Sequence, residues 1–275
     1  MTKLPNFIYA GAPKAGSTWL FHILKNNPDI FLPEGKELQF FDQNYHLGQS
    51  WYIKQFTKSS PKQITGDISP EYFNCNESAL RIKSLNPDVR LIFCLREPID
   101  AMTSWYYQLL SIGRMGSTSL NEYLLKEDSF NKFEYDRLLE PFIRLFKREQ
   151  ILILFYDELC ASPNTFIKKI EKHIGLSHTQ TSDDLNKVIW KSRLPRSRLL
   201  NYIAYNIGKA LRKLGLAKLV GWISLHPLFI RVIYSEATKA RASELVLSKI
   251  RPKVDISIKK LSKTNGLNIP SSWIS

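Results

Sequence analysis

The chain has 275 residues, is 44% hydrophobic and 12% aromatic, and carries a formal net charge of +14. That length and composition support one large α/β domain with a full core, or one domain with an appendage, and no repeat or low-complexity tract argues for an array or a disordered chain. The charge is uneven: residues 187–275 hold 18 Lys and Arg against 3 Asp and Glu, a net +15, while residues 1–186 are nearly balanced at −1.

MTKLPNF at the start has no apolar run of the kind a secretory signal needs. The longest apolar stretch, Leu219 to Tyr234, is interrupted by His226, Pro227 and Arg231, which makes it too short and too polar to span a bilayer. Cys75, Cys94 and Cys160 have no metal-ligand spacing, and so sparse a set fits a reducing compartment. A cytoplasmic protein without a metal centre is the expectation.

In chain order, Phe7 to Ala10 reads as a buried strand. Gly11-Ala12-Pro13-Lys14-Ala15-Gly16 follows, with glycines that allow a tight turn. Ser17 is placed to cap a helix through Trp19, Leu20, Ile23 and Leu24. Strand, glycine loop and helix start together make an anion site, because first-turn amides and the helix dipole both favour negative charge. Lys14 adds a cation inside the loop; an ordinary turn with an exposed lysine is the plainer alternative. The loop departs from a Walker A motif, which would put its lysine at position 17, where this chain has Ser17. A Mg-ATP kinase is therefore a competing reading rather than the first.

After the stop at Asn27-Pro28-Asp29 comes Gly35-Lys36-Glu37-Leu38-Gln39-Phe40-Phe41-Asp42. The apolar patch would anchor this segment and hold Glu37 at its edge, where a carboxylate can serve as a general base. His46 is a second candidate, read mainly as a structural histidine, and Trp51 to Phe56 is a short helix. The strand around Ile64 ends in a polar turn with Asp67, Ser69 and Tyr72, candidates for the wall of a site at strand carboxyl ends. A helix over Asn76–Leu85 precedes the clearest buried parallel strand, Val89–Leu95. Arg96, Pro98 and Ser104 follow it. A guanidinium at the strand end and a hydroxyl eight residues on, in a helix begun by Pro98, could share a phosphate.

Helices are predicted over Asn121–Lys126 and Glu134–Lys147. A third strand covers Ile151–Tyr156, and a further helix Pro163–Ile174. Alternating strands and helices imply a parallel sheet covered on both faces. The division expected is a single domain over 1–275, with an α/β core over 1–186 and a basic flap and helical extension over 187–275. In the flap, Lys191, Arg193 and Arg196 flank Pro195. Beyond it Leu211, Leu214, Leu216, Leu219 and Trp222 alternate with Lys209, Arg212, Lys213 and Lys218, a surface suited to an anionic membrane, an acidic glycan, or plain solvent. A last helix is predicted over Val246–Leu261, with Trp273 tucked onto the core. Nucleic-acid binding through this basic third is the competing reading from another class, although it lacks interleaved aromatics and any zinc finger.

Three features in fixed order, GAPKAGST, KELQFFD and LREPIDAMTSWYY, resemble the sulfotransferases that use 3′-phosphoadenosine-5′-phosphosulfate. The similarity is to the branch with the heparan sulfate N- and O-sulfotransferases and their bacterial relatives, and it spans about residues 6–160. It implies a P-loop-like three-layer fold and metal-free sulfuryl transfer to a carbohydrate or glycolipid acceptor, with no nucleic-acid partner. Carried over by position, the loop Lys14, Ala15, Gly16, Ser17 and Thr18 would hold the 5′-phosphosulfate. Arg96 and Ser104 would hold the 3′-phosphate, with Arg196 closing over it, and Glu37 would be the base. Lys36, Ser69, Tyr72 and His46 are candidates for acceptor contact. Several heparan enzymes carry a second lysine where this chain has Ile68.

Overall fold

The computed structural model describes residues 3–176, 194–197, 199–200, 202–204, 206–207, 234–235 and 240–274. Lys191 and Arg193 of the expected flap, and the alternating apolar and basic positions from Lys209 to Trp222, lie outside the described residues. The chain forms two compact units. One comprises Met1–Ala101, Asn131–Ile189 and Val254–Ser275, and the other Met102–Phe130 and Trp190–Lys253.

In the first unit, β1 (Phe7–Gly11), β2 (Ile30–Phe31), β3 (Ile64–Ile68), β4 (Arg90–Leu95) and β5 (Ile151–Phe155) make one sheet in the order β2-β3-β1-β4-β5. Every pairing is parallel. The central strand β1 is buried throughout, which is why it reads as an unbroken apolar run rather than an alternating one. Its register sets Phe7 opposite Gly66. A Cβ on Gly66 would come within 2.1 Å of the Phe7 ring, so the glycine makes room for the aromatic.

Helices α1 (Ser17–Lys25) and α8 (Pro163–Ile174) cover one face. Trp19, Leu20, Leu24, Phe166, Ile167 and Ile170 close over Phe7, Tyr9, Ile92, Cys94 and Leu154. Each large apolar side chain removed from water there contributes roughly 1.5–3 kcal/mol. The opposite face carries Phe93, with Phe73 at 5.6 Å and Phe142 of α6 (Tyr135–Leu145) at 5.0 Å between ring centres. The three-layer α/β architecture expected from the alternation is present. Further helices among the described residues of the chain include α2 (Gly48–Lys54), α3 (Ser78–Leu85), α4 (Pro98–Ser111), α5 (Leu120–Leu124) and α7 (Tyr156–Ala161).

Two elements depart from the sequence reading. Tyr156, read as the last residue of the third strand, instead begins the helix Tyr156–Ala161; the Glu158 carboxylate accepts from the Phe155 amide at 3.1 Å and closes its start. Ile30–Phe31 is a short edge strand, in register with Ile64 and Thr65. Trp273 is fully buried as expected: its indole donates to Asp157 at 3.0 Å and its ring meets Phe155 edge-on at 5.3 Å.

In the second unit, the Tyr106 ring meets Tyr107 edge-on and Tyr123 at a tilt, with ring centres 5.1 and 5.6 Å away. The Tyr107 hydroxyl donates to the Ala240 carbonyl at 2.8 Å, and the Ser243 amide to Asn121 at 3.1 Å. Leu194–Pro195 pairs antiparallel with Tyr234–Ser235, and the exposed Arg196 follows this ladder directly. The long helix Glu244–Asn265 begins in this unit; its residues Val254, Ile258 and Leu261, which belong to the first unit, are buried. No helix among the described residues is long and apolar enough to cross a membrane.

Candidate active site

β1 runs straight into the loop Ala12–Gly16, and the loop into α1. The Ala12 amide donates to the Cys94 carbonyl at 2.9 Å, which ties the loop to the end of β4. Beneath it lies the buried Tyr9 hydroxyl, 3.3 Å from the Ala15 carbonyl. Lys14 has φ 66 and Gly16 φ 91. A Cβ on Gly16 would sit 2.8 Å from Leu159, so both the turn and the space require glycine. Gly16 occupies the cap position of α1 and brings no side-chain acceptor. Ser17, expected as the cap, is instead the first helical residue, because the left-handed turn at Gly16 starts the helix one position earlier. Without a capping side chain, the first turn of α1 presents its positive end to an anion.

The segment carrying Glu37 is pinned from behind. Phe40 and Phe41 are fully buried, and Phe40 stacks on Tyr52 with ring centres 4.5 Å apart. The Phe40 amide donates to the Tyr72 hydroxyl at 2.9 Å, and the Gln39 amide to Ser69 at 3.3 Å. Tyr52, Tyr72 and Ser69 in turn donate to the buried carboxylate of Asp67 at 2.9, 2.8 and 2.7 Å. Burial pushes the Asp67 carboxyl up to about 6, against the pull of those three hydroxyls. Glu37 has φ 66 and Gln39 φ 49. Left-handed backbone at non-glycine residues costs on the order of 1–3 kcal/mol each and persists where the surroundings over-determine it, as they do here.

Ser69 and Tyr72 have no exposed area, and their hydroxyls are engaged by Asp67 and by the Gln39 and Phe40 amides. Lys36, a candidate for acceptor contact, lies against the first turn of α1. Its ammonium is 2.7 Å from Thr18 Oγ1, 3.4 Å from Ser17 Oγ and 3.3 Å from Glu37 Oε1. His46 is exposed, with Nδ1 3.2 Å from the Gln43 carbonyl.

Arg96 leaves β4 beside the loop. Its guanidinium reaches the Lys14 carbonyl at 3.5 Å and Asp100 at 3.7 Å, and lies over the Tyr156 ring at 4.8 Å. Its Nε is buried and has no partner among the described residues. Ser104 lies two turns into α4, half-buried, in the second unit, as does Arg196. The structure thus brings together Lys14, Ser17, Thr18, Lys36, Glu37 and Arg96 at the carboxyl ends of β1 and β4, where open parallel sheets bind ligands.

One polar group was missed in the sequence. Asp42, Glu71 and Asn74 each have a buried side-chain oxygen with no partner among the described residues, and Lys132 pairs with Glu71 at 2.9 Å. Burial raises the Asp42 carboxyl, and the charge of Glu71 adds to the rise. The 61-residue separation of Glu71 and Lys132 hid that pairing, although an Asp directly after an anchored aromatic pair was a signal.

The family model described as "Sulfotransferase domain" matches residues 4–205. Heparan sulfate glucosamine 3-O-sulfotransferase 3B1 of Mus musculus is 29% identical over 189 residues, covering 65% of this chain and 48% of the relative. Bifunctional heparan sulfate N-deacetylase/N-sulfotransferase 4 of Mus musculus is 30% identical over 200 residues, covering 63% of this chain and 22% of the relative. The chain thus spans less than half the length of either curated relative. Among solved structures, a sulfotransferase from Alicyclobacillus acidocaldarius superposes with a TM-score of 0.70 at 18% identity, covering 99% of this chain and 100% of that one.

Proposed function

We propose, because the chain belongs to the sulfotransferase domain family, that it moves a sulfuryl group from 3′-phosphoadenosine-5′-phosphosulfate to a hydroxyl or amine of a carbohydrate or glycolipid. One observation carries the reading. A carboxylate, Glu37, and the first turn of an uncapped, anion-favouring helix share a single ammonium, that of Lys36. A proton acceptor and an anion cradle this close suit in-line transfer, which needs placement and charge stabilisation more than covalent catalysis.

In this mechanism Glu37 takes the proton of the attacking oxygen or nitrogen as that atom bonds to sulfur. The bond from sulfur to the 5′-phosphate oxygen breaks, and the electron pair stays on the phosphate. Lys14 and the first turn of α1 offset that charge. The Arg96 Nε, buried and without a partner among the described residues, supports its role toward the 3′-phosphate. The carbohydrate acceptor rests on the heparan sulfate relatives.

The test is Glu37→Gln. Turnover of labelled donor should fall by roughly two to four orders of magnitude, the scale of a general base. Calorimetric affinity for 3′-phosphoadenosine 5′-phosphate should stay within about twofold, because a base contributes to proton transfer rather than to nucleotide binding. Near-wild-type turnover would remove Glu37 from the chemistry.

A further inference from the structure

The Lys36 ammonium sits at the first turn of α1, with Thr18 and Ser17 as its hydroxyl partners. A cation is badly placed there, since the N-terminus of a helix carries the equivalent of about +0.5 charge. Burial adds to the penalty and lowers the lysine's pKa, with the Glu37 carboxylate opposing the fall. The Lys36 side chain is nevertheless only 22% exposed. A lysine held against a positive helix end is explained if the position is built to receive an anion, which would relieve both repulsions together.

The hydrogen-bond directions agree. Lys36 only donates, so Ser17 and Thr18 accept from it, and their own O–H hydrogens are left to point elsewhere. Two hydroxyls oriented in this way are donors prepared for phosphate or sulfate oxygens. The lysine that several heparan enzymes carry on β3 has no counterpart here: position 68 is an isoleucine, 3% exposed and part of the apolar core.

We propose that Lys36 is a second cation, beside Lys14, on the 5′ anion of the donor, and that it holds Glu37 until that anion arrives. This rests on the donor reading above and deepens it. Arrival of the negative 5′ group draws the ammonium from Glu37 and leaves the carboxylate to meet the acceptor's proton. Donor occupancy and readiness of the base are then linked through one side chain.

Calorimetry with two nucleotides tests this. Lys36→Met should weaken 3′-phosphoadenosine 5′-phosphate by roughly 10- to 100-fold, the scale of lost charge-assisted hydrogen bonds. It should leave adenosine 3′-phosphate, which has no 5′ anion, within about twofold. Lys36→Arg should recover part of the loss, and it serves as the second variant if the methionine form does not fold. Unchanged affinity for the bisphosphate, or equal losses for both nucleotides, would overturn the proposal while leaving the donor reading in place. Failure of the wild-type protein to bind the bisphosphate would be a different result, and would sink the donor reading together with this one.

Discussion

The Arg96 guanidinium is steadied by Asp100 and by the Tyr156 ring, yet its buried Nε has no partner among the described residues. A buried donor left unmade costs roughly 1–3 kcal/mol, which a bound phosphate oxygen would return. Arg96→Ala should therefore weaken 3′-phosphoadenosine 5′-phosphate far more than adenosine 5′-phosphate, measured as two dissociation constants; equal losses would make Arg96 structural. Asp67 sets a pH dependence of stability. Its carboxyl titrates at about 6 in the fold against 3.8 as a free side chain. A raised carboxyl is favoured while protonated, so its contribution is full below 3.8 and is lost as pH rises through 6. The loss amounts to roughly 3 kcal/mol. Denaturant unfolding of Asp67→Asn should show a flatter decline between about pH 4 and 6 than wild type, over and above a pH-independent offset from rearranged hydrogen bonds. Parallel pH profiles would refute the assignment.

Among the elements, β1 and its loop were the most legible, because an apolar run followed by spaced glycines has few other solutions. The anchoring of Glu37 by Phe40 and Phe41 was legible too, since two adjacent aromatics rarely stay in water. What those rings stack on was not: Tyr52 and the Asp67 hub are brought together by β3 and α2, and contacts across the sheet leave no local periodicity. The contact of Lys36 with Ser17 and Thr18 was not legible for the same reason, since it joins residues 18 and 19 positions apart. The β1–β3 register makes its own prediction. Gly66→Ala forces a methyl into the Phe7 ring, and should cost about 1–3 kcal/mol in chemical denaturation, as overpacking does. Phe7→Leu in the same chain should recover part of that, a coupling expected of residues in contact.

On the scale of the molecule, the first unit is assembled from three separated stretches, the last being Val254–Ser275. Trp273 is fully buried against Phe155 and held by Asp157. Trp273→Ala should cost about 3–5 kcal/mol in unfolding free energy, and Trp273→Phe clearly less, because it keeps most of the buried area. A loss below 1 kcal/mol for the alanine form would show the C-terminal residues to be ornamental. This closing contact also has a consequence for how the protein is made. Asp157 and Trp273 are 116 residues apart in sequence. At about 5–20 residues per second, the ribosome delivers the tryptophan on the order of ten seconds after its partner. For that interval the sheet is already translated, but one wall of its core is missing. The nascent first unit must wait, with apolar surface open to chaperones, until the second unit has been synthesised in full.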